Sequence, residues 1–298
     1  MANSYIFYST AKLLSLIKPN KGINTISDLV IKAEEEITRH SYAEIMDNAI
    51  DRIKVMKESI DKGMTVKSSR SGMVKDEASK MISMLGNDKM LMNPLLIKAI
   101  AWALGTMANN SVMGRIIAAP TAGSAGVLPG CLLAYQDEFK LSDEQVARGL
   151  LTAAGVGMII GHASTFSASK AGCQAEIGNA SAMAAAAISE LRGMSPEKCM
   201  NAAALSLKNM LGLACDPIGG LVEVPCVKRN AFGVSNAITA SDLSYAGVES
   251  VVPFDEVLEA MNNIAKHMAP AIRETSSGGL AITRTALKID EKLIKIGR

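Results

Sequence analysis

Five cysteines punctuate this 298-residue chain, and three of them lie where chemistry, rather than packing, would put a thiol. Cys215 and Cys226 are separated by ten residues that include Asp216, Pro217, Gly219, Gly220 and Pro225, and Cys173 follows Gly172. That composition interrupts helices and strands alike, so Cys215 and Cys226 are both expected on irregular backbone. A free cysteine is ordinarily a small buried hydrophobe. Cys131, in Gly130-Cys-Leu-Leu-Ala134, and Cys199, in Pro196-Glu-Lys-Cys-Met-Asn-Ala, fit that description. Cys173, Cys215 and Cys226 instead suggest a three-thiolate metal site. Structural zinc takes four ligands, often as close cysteine pairs, so a Cys3His site would need to recruit His162 or His267. Iron–sulfur clusters are held by thiolates, and three in place of four leave one iron open as a Lewis acid. The spacing permits both.

Other polar groups recur at bends of the chain. Residues 63–74 form a loop carrying Thr65, Ser68, Ser69 and Ser71. Pro120-Thr-Ala-Gly-Ser-Ala-Gly126 opens a helix with small and hydroxylated residues, and free amides at a helix start favour an anion, a carboxylate as well as a phosphate. No Gly-Lys-Ser/Thr follows, so this is no Walker loop. His162, eleven residues before Cys173, is a candidate because an imidazole is a common acid–base group near neutral pH, although a lone histidine is more often structural. Lys228, Arg229 and Asn230 place two cations and an amide just beyond Cys226, and Arg229 can grip a carboxylate with two parallel hydrogen bonds.

The elements that must position these groups read as helices. Hydrophobic residues make up 49% of the chain and aromatics only 4%, so the core must come from Ala, Ile, Leu, Val and Met. Residues 4–17 form a periodic segment ending at Pro19 to Gly22, and residues 26–39 form another. Ser41-Tyr-Ala-Glu44 matches a capping box, and behind it Ile45, Ala49, Ile53, Met56 and Ile60 make one apolar stripe. Residues 94–117 predict a long buried helix containing Trp102. Ser142-Asp-Glu-Gln145 starts a further helix, in which the apolar run 149–161 is too short to span a bilayer. Residues 175–191 predict a small-residue helix, and Ser195 with Pro196 starts the helix leading to Cys215. Beyond residues 253–267, another helix, come a Gly278-Gly279 turn and a basic tail from Lys288. No strand pattern exceeds a few residues, and no internal repeat is visible. The expected fold class is all-α: a single large helical domain, residues 1–298, with the active site on inter-helix loops. Residues 1–65 would be an N-terminal helical segment and residues 66–298 the functional core. A net charge of +2 implies no general attraction to nucleic acid or membrane. An odd cysteine count without an export signal argues for reduced thiols in a cytoplasm.

These pieces together resemble the alpha subunit, or catalytic domain, of the iron–sulfur-dependent L-serine dehydratases. The matching segments are Ser69-Arg-Ser-Gly72-Met, Ala119-Pro-Thr-Ala-Gly-Ser-Ala-Gly126, Ala171-Gly-Cys-Gln-Ala-Glu-Ile-Gly178, Met183-Ala-Ala-Ala-Ala187, Cys215 through Ala231, and Arg273-Glu-Thr275 with Gly278-Gly-Leu-Ala281. The stretch from Cys215 to Cys226 is the most specific. The resemblance implies that Cys173, Cys215 and Cys226 hold a 4Fe-4S cluster whose open iron acts on the hydroxyl of L-serine, yielding pyruvate and ammonia. It makes residues 63–74 an active-site loop in which Ser69, Ser71 and Gly72 approach substrate; the helix start itself makes Thr121, Gly123 and Ser124 candidates for an amino-acid carboxylate, which Lys228 or Arg229, beside Asn230, could also pair with. Ser71, Lys228 and His162 are the choices for the base that removes the α-proton, with a residue of a partner as the alternative. Pyridoxal phosphate is not implied, since the Ser-x-Lys-x-Arg-Gly motif is absent. A separate beta subunit is the implied partner, and neither nucleic acid nor membrane is. Two departures stand out. Relatives commonly continue the serine loop with a Gly-Gly-Asp-like run where this chain has Val74-Lys75-Asp76-Glu77, and Lys170 stands where many carry a small or acidic residue. Three rival readings share the motifs: a cysteine desulfidase using the same site, an electron-transfer or sensor protein recruiting Cys131 or Cys199 as fourth ligand, and a zinc-stabilised helical scaffold.

Overall fold

The computed structural model describes residues 4–18 and 21–295; Pro19 and Asn20 of the expected first terminator lie outside them, as does the end of the basic tail. Among the described residues thirteen α-helices follow one another: α1 (Thr10–Leu16), α2 (Ile26–Thr38), α3 (Tyr42–Met64), α4 (Glu77–Ile82), α5 (Pro94–Ser111), α6 (Val127–Phe139), α7 (Asp143–Ala163), α8 (Ala168–Ala171), α9 (Asn179–Leu191), α10 (Pro196–Asn209), α11 (Cys226–Tyr245), α12 (Phe254–His267) and α13 (Arg284–Lys295). Among the described residues there is no strand, only isolated bridges such as that between Cys215 and Arg273. The chain is all-α, as expected.

Local signals set most helix starts. Ser41 accepts from the Glu44 amide while Glu44 reaches back to Ser41, and Ser142 with Gln145 repeats this at α7. Thr25 and Asp28 build a third such box on α2. Ser195 caps α10, whose first residue is Pro196. The predicted stripe on α3 is buried along its whole length, from Ile45 to Ile60. Three expectations move. α5 stops at Ser111 rather than residue 117, because the Asn109 side chain turns to hold the Arg115 carbonyl and the chain folds back. The small-residue helix is preceded by one π-turn, Gln174–Gly178, before α9 begins. What reads as a basic tail is mostly α13, whose Ala286 and Leu293 are buried.

The centre is built from α9, which packs on α10, α7, α11 and α6, with α5 joining α3, α6 and α11. Every residue of α9 from Asn179 to Ser189 is buried. Alanines and glycines make that possible by letting helix backbones approach closely. At Gly63 of α3 an added Cβ would meet the Gly105 carbonyl oxygen of α5 at 1.7 Å. α7 is long and apolar enough to cross a bilayer by length and composition, more so than the run 149–161 suggested, but half of its most apolar window is buried, packed against α9, α3 and α2.

Candidate active site

Three segments bring the thiols together. Cys173 sits at the entrance of the π-turn, after Gly172 in a left-handed conformation (φ 72°). A side chain at Gly172 would meet the Leu213 carbonyl oxygen at 2.7 Å, so glycine there lets the Cys173 segment lie against the one leading to Cys215. The two strands of backbone are stitched by the Gln174 amide donating to Leu213 O and by the Gln174 side chain accepting from the Gly212 amide. Cys215 itself pairs with residues 272–274: its amide donates to Ile272 O and its carbonyl accepts from Glu274 N. Cys226 is the first residue of α11. This corrects the expectation of irregular backbone for Cys226: Pro225 precedes the first turn, where a missing N–H costs nothing, and so begins the helix instead of breaking it.

All three thiols are buried. Arg229, one turn into α11, joins the segments that carry them. Its Nη1 donates to Cys173 Sγ at 3.3 Å and to Ala214 O at 2.7 Å, and its Nη2 donates to Asp216 Oδ1 at 3.0 Å. Asp216 is 5% exposed and also accepts from the Leu280 amide, and Gly279 has no room for a Cβ beside it. One ion pair thus binds the Cys215 loop, the Cys226 helix, the Cys173 sulfur and the Gly278-Gly279 segment. Hydrogen bonding from Cys215 holds the Cys173 thiol below its ordinary range against the effect of burial, and the Arg229 guanidinium helps. Burial pushes Cys226 up to about 12, with Cys173 and Glu176 adding to it. Among the described residues no three of His, Cys, Asp and Glu stand close enough to hold a single metal ion. A four-iron cluster takes each thiolate on a different iron, so its ligands stand farther apart than those of one ion. Three buried thiols brought together from separate segments, with a guanidinium donating to one of them, fit such a group.

The polar loops close around this wall. Ser69 and Ser71 both donate to Glu223 Oε2, Ser69 at 2.7 Å, and their hydroxyls are 3.0 Å apart. Gly72, at φ 76°, makes the turn that returns Val74 N to Ser69 Oγ. Glu223 was not foreseen; the signal that could have found it is an acid between two prolines' worth of loop, three residues before Cys226. At the other loop, Thr121 Oγ1 donates to Glu176 Oε1 at 2.6 Å and shares a hydrogen with Ser124 Oγ at 2.9 Å. The Gly123 amide also supports Glu176, and a Cβ on Gly123 would lie 2.6 Å from Oε1. The turn that reads as an anion site therefore holds a carboxylate of the chain itself. Burial pushes the Glu176 carboxyl above its ordinary range, and Glu274 reinforces this, against Thr121, Arg229 and Gly123. Asn230 braces the same turn: it donates to Gly123 O and Cys226 O and accepts from the Gly126 amide.

The remaining sequence-derived groups lie differently. Lys228 Nζ pairs with Glu77 Oε1 at 2.7 Å, so the departure at residues 74–77 supplies its partner. His162 is exposed at the end of α7 and stacks on Tyr8, ring centroids 4.3 Å apart. His267 Nδ1 meets Asn263 O at 2.9 Å. Cys131 and Cys199 are deep in the main core, as read from the sequence, with thiols raised by burial. Lys170 is exposed, and its carbonyl accepts from Arg273 Nη1 at 3.4 Å, while Arg273 Nε is buried without a partner.

Residues 21–281 match the family described as serine dehydratase alpha chain. A probable L-serine dehydratase alpha chain of Bacillus subtilis is 42% identical over 288 residues, covering 97% of this chain and 95% of the relative. The L-serine dehydratase alpha chain of Peptoniphilus asaccharolyticus is 40% identical over 290 residues, covering 97% and 99%. L-serine dehydratase TdcG of Escherichia coli is 35% identical over 289 residues, covering 93% of this chain and 62% of that longer relative. The chain belongs to the serine dehydratase alpha chain family.

Proposed function

We propose, from that membership, that the protein is a lyase converting L-serine to pyruvate and ammonia, with Cys173, Cys215 and Cys226 holding a 4Fe-4S cluster. The observation that carries this reading is the convergence of three buried thiols from three segments: Cys173 and Cys215 hydrogen-bond, both lie within electrostatic reach of Cys226, and Arg229 donates to Cys173. When bound, the cluster supplies a Lewis-acidic iron that makes the substrate hydroxyl a better leaving group. The chain's own residues do the rest. Arg229 and Asp216 keep the thiol-bearing segments in register. Arg273, whose Nε is buried without a hydrogen-bond partner, receives the substrate carboxylate. Ser69 and Gly72 shape the serine loop, which meets Glu223.

Of the three groups considered for the α-proton, Ser71 has the supporting geometry. Its hydroxyl donates to Glu223, so Ser71 Oγ can accept the α-proton while its own proton passes to the carboxylate. Lys228 is held by Glu77 and His162 by Tyr8, which leaves both without that arrangement. Loss of hydroxide from the α-carbanion leaves aminoacrylate, which tautomerises and hydrolyses to pyruvate and ammonia. The alpha-chain names of the shorter relatives, and the extra length of the Escherichia coli one, support a separate beta subunit as partner. A cytoplasmic location accords with five free cysteines. No pyridoxal phosphate, nucleic acid or membrane enters this reading.

The test is electron paramagnetic resonance of anaerobically reconstituted, partly oxidised protein, with pyruvate release measured alongside. A cluster signal that shifts on adding L-serine, with pyruvate produced, is the expected result. A signal indifferent to serine, without pyruvate, would remove the lyase assignment and favour electron transfer or another substrate.

A further inference from the structure

Three buried carboxylates border the thiol wall, and their charges are met differently. Asp216 is compensated by the Arg229 guanidinium. Glu223 receives two serine hydroxyls. Glu176 is only 9% exposed and rests on neutral donors, the Thr121 hydroxyl and the Gly123 amide; among the described residues no cation is paired with it. The guanidinium hydrogens of Arg229 point to Asp216, Cys173 and Ala214 instead. Arg229 acts on Glu176 only through its charge; a buried carboxylate that no cation grips directly is costly, and the cost is relieved when a ligand brings one. Glu176 follows Cys173 by three residues and lies near enough to both Cys173 and Cys226 to act on them electrostatically. It is also fixed, because Asn230 clamps the turn beneath it and only glycine at position 123 admits its oxygen.

We propose that Glu176 is the subsite for the α-ammonium group of the substrate, so that the Thr121–Ser124 turn selects an amino acid over the same molecule without its amino group. An ammonium offers three donors to the carboxylate oxygens that Thr121 and Gly123 leave unfilled. The proposal rests on the lyase reading and adds to it the group that recognises nitrogen. It also inverts the polarity read from the sequence for this turn, from a place that takes an anion to one that presents it.

The experiment compares L-serine with 3-hydroxypropanoate, its deamino analogue, on anaerobically reconstituted wild type, Glu176→Gln and Glu223→Gln. Dissociation constants come from calorimetry, and iron and sulfide content is measured on each preparation. In Glu176→Gln the preference for serine over the analogue should fall by about tenfold or more, through weaker serine binding, at unchanged cluster content. An unchanged preference in Glu176→Gln, or its loss in Glu223→Gln alone, would overturn the proposal. If Glu176→Gln fails to assemble, Gly123→Ala pushes the carboxylate off its seat and should lower the preference in the same direction; an unaltered preference there also counts against it. Wild type that binds neither ligand and releases no pyruvate from serine would instead remove the lyase reading itself.

Discussion

Cys173, Cys215 and Cys226 differ from Cys131 and Cys199 in what surrounds the sulfur, and that difference is testable one atom at a time. Replacing any of the first three by serine should abolish retained iron after anaerobic reconstitution, whereas Cys131→Ser and Cys199→Ser should keep it, because the latter two lie in the helical core. Iron per chain measures this, and full cluster retention in Cys215→Ser would refute the assignment. Asp28 supplies a second residue-level prediction. Burial alone would raise its carboxyl, but the hydrogen bond and charge of Arg148 and the Asn24 and Thr25 contacts hold it below the usual carboxylate range. Its folded pKa is thus lower than its unfolded one, so its stabilisation is present above the unfolded value and disappears as pH falls through the folded value. Asp28→Asn should cost about 1–2 kcal/mol at neutral pH, and the gap from wild type in urea melts should close in strong acid.

Helices in this fold are placed by caps and held by close backbone contact. Ser142→Ala removes one half of the box that starts α7 and should cost about 1 kcal/mol. The contact of α3 with α5 is less forgiving. Gly63→Ala would drive a methyl group into the Gly105 carbonyl, which no side-chain rotation can relieve. The expected penalty is about 3 kcal/mol or more, at the upper end for overpacking, read as a large fall in melting temperature. A melting temperature within a degree of wild type would show that α3 and α5 separate easily.

For the whole molecule, the ion pair Arg229–Asp216 joins segments more than a hundred residues apart in the chain when Leu280 and Cys173 are counted with it. Such a knot makes the thiol wall a product of the completed fold rather than of any one loop. The assembly prediction belongs at this scale as well. Co-expression with a beta subunit should yield a complex more active than the reconstituted chain alone; full activity from the isolated monomer, seen by size-exclusion chromatography with pyruvate assay, would exclude the partner.

Much of this protein was legible in its residue order. Capping boxes at Ser41 and Ser142, the Ser195-Pro196 start and the stripe from Ile45 to Ile60 are local, so nearest-neighbour physics decides them. The cysteines of interest were separable from Cys131 and Cys199 for the same reason, by the glycines and prolines beside them. Long-range pairing was not legible. That Glu176 occupies the Thr121 turn, that Glu223 accepts from Ser69 and Ser71, and that Lys228 is held by Glu77 depend on side chains 55 to 154 residues apart in sequence. A turn's spacing shows that it can hold a negative charge; only the packed chain decides whether that charge comes from a ligand or from the protein, because burial and partner supply are properties of the tertiary structure.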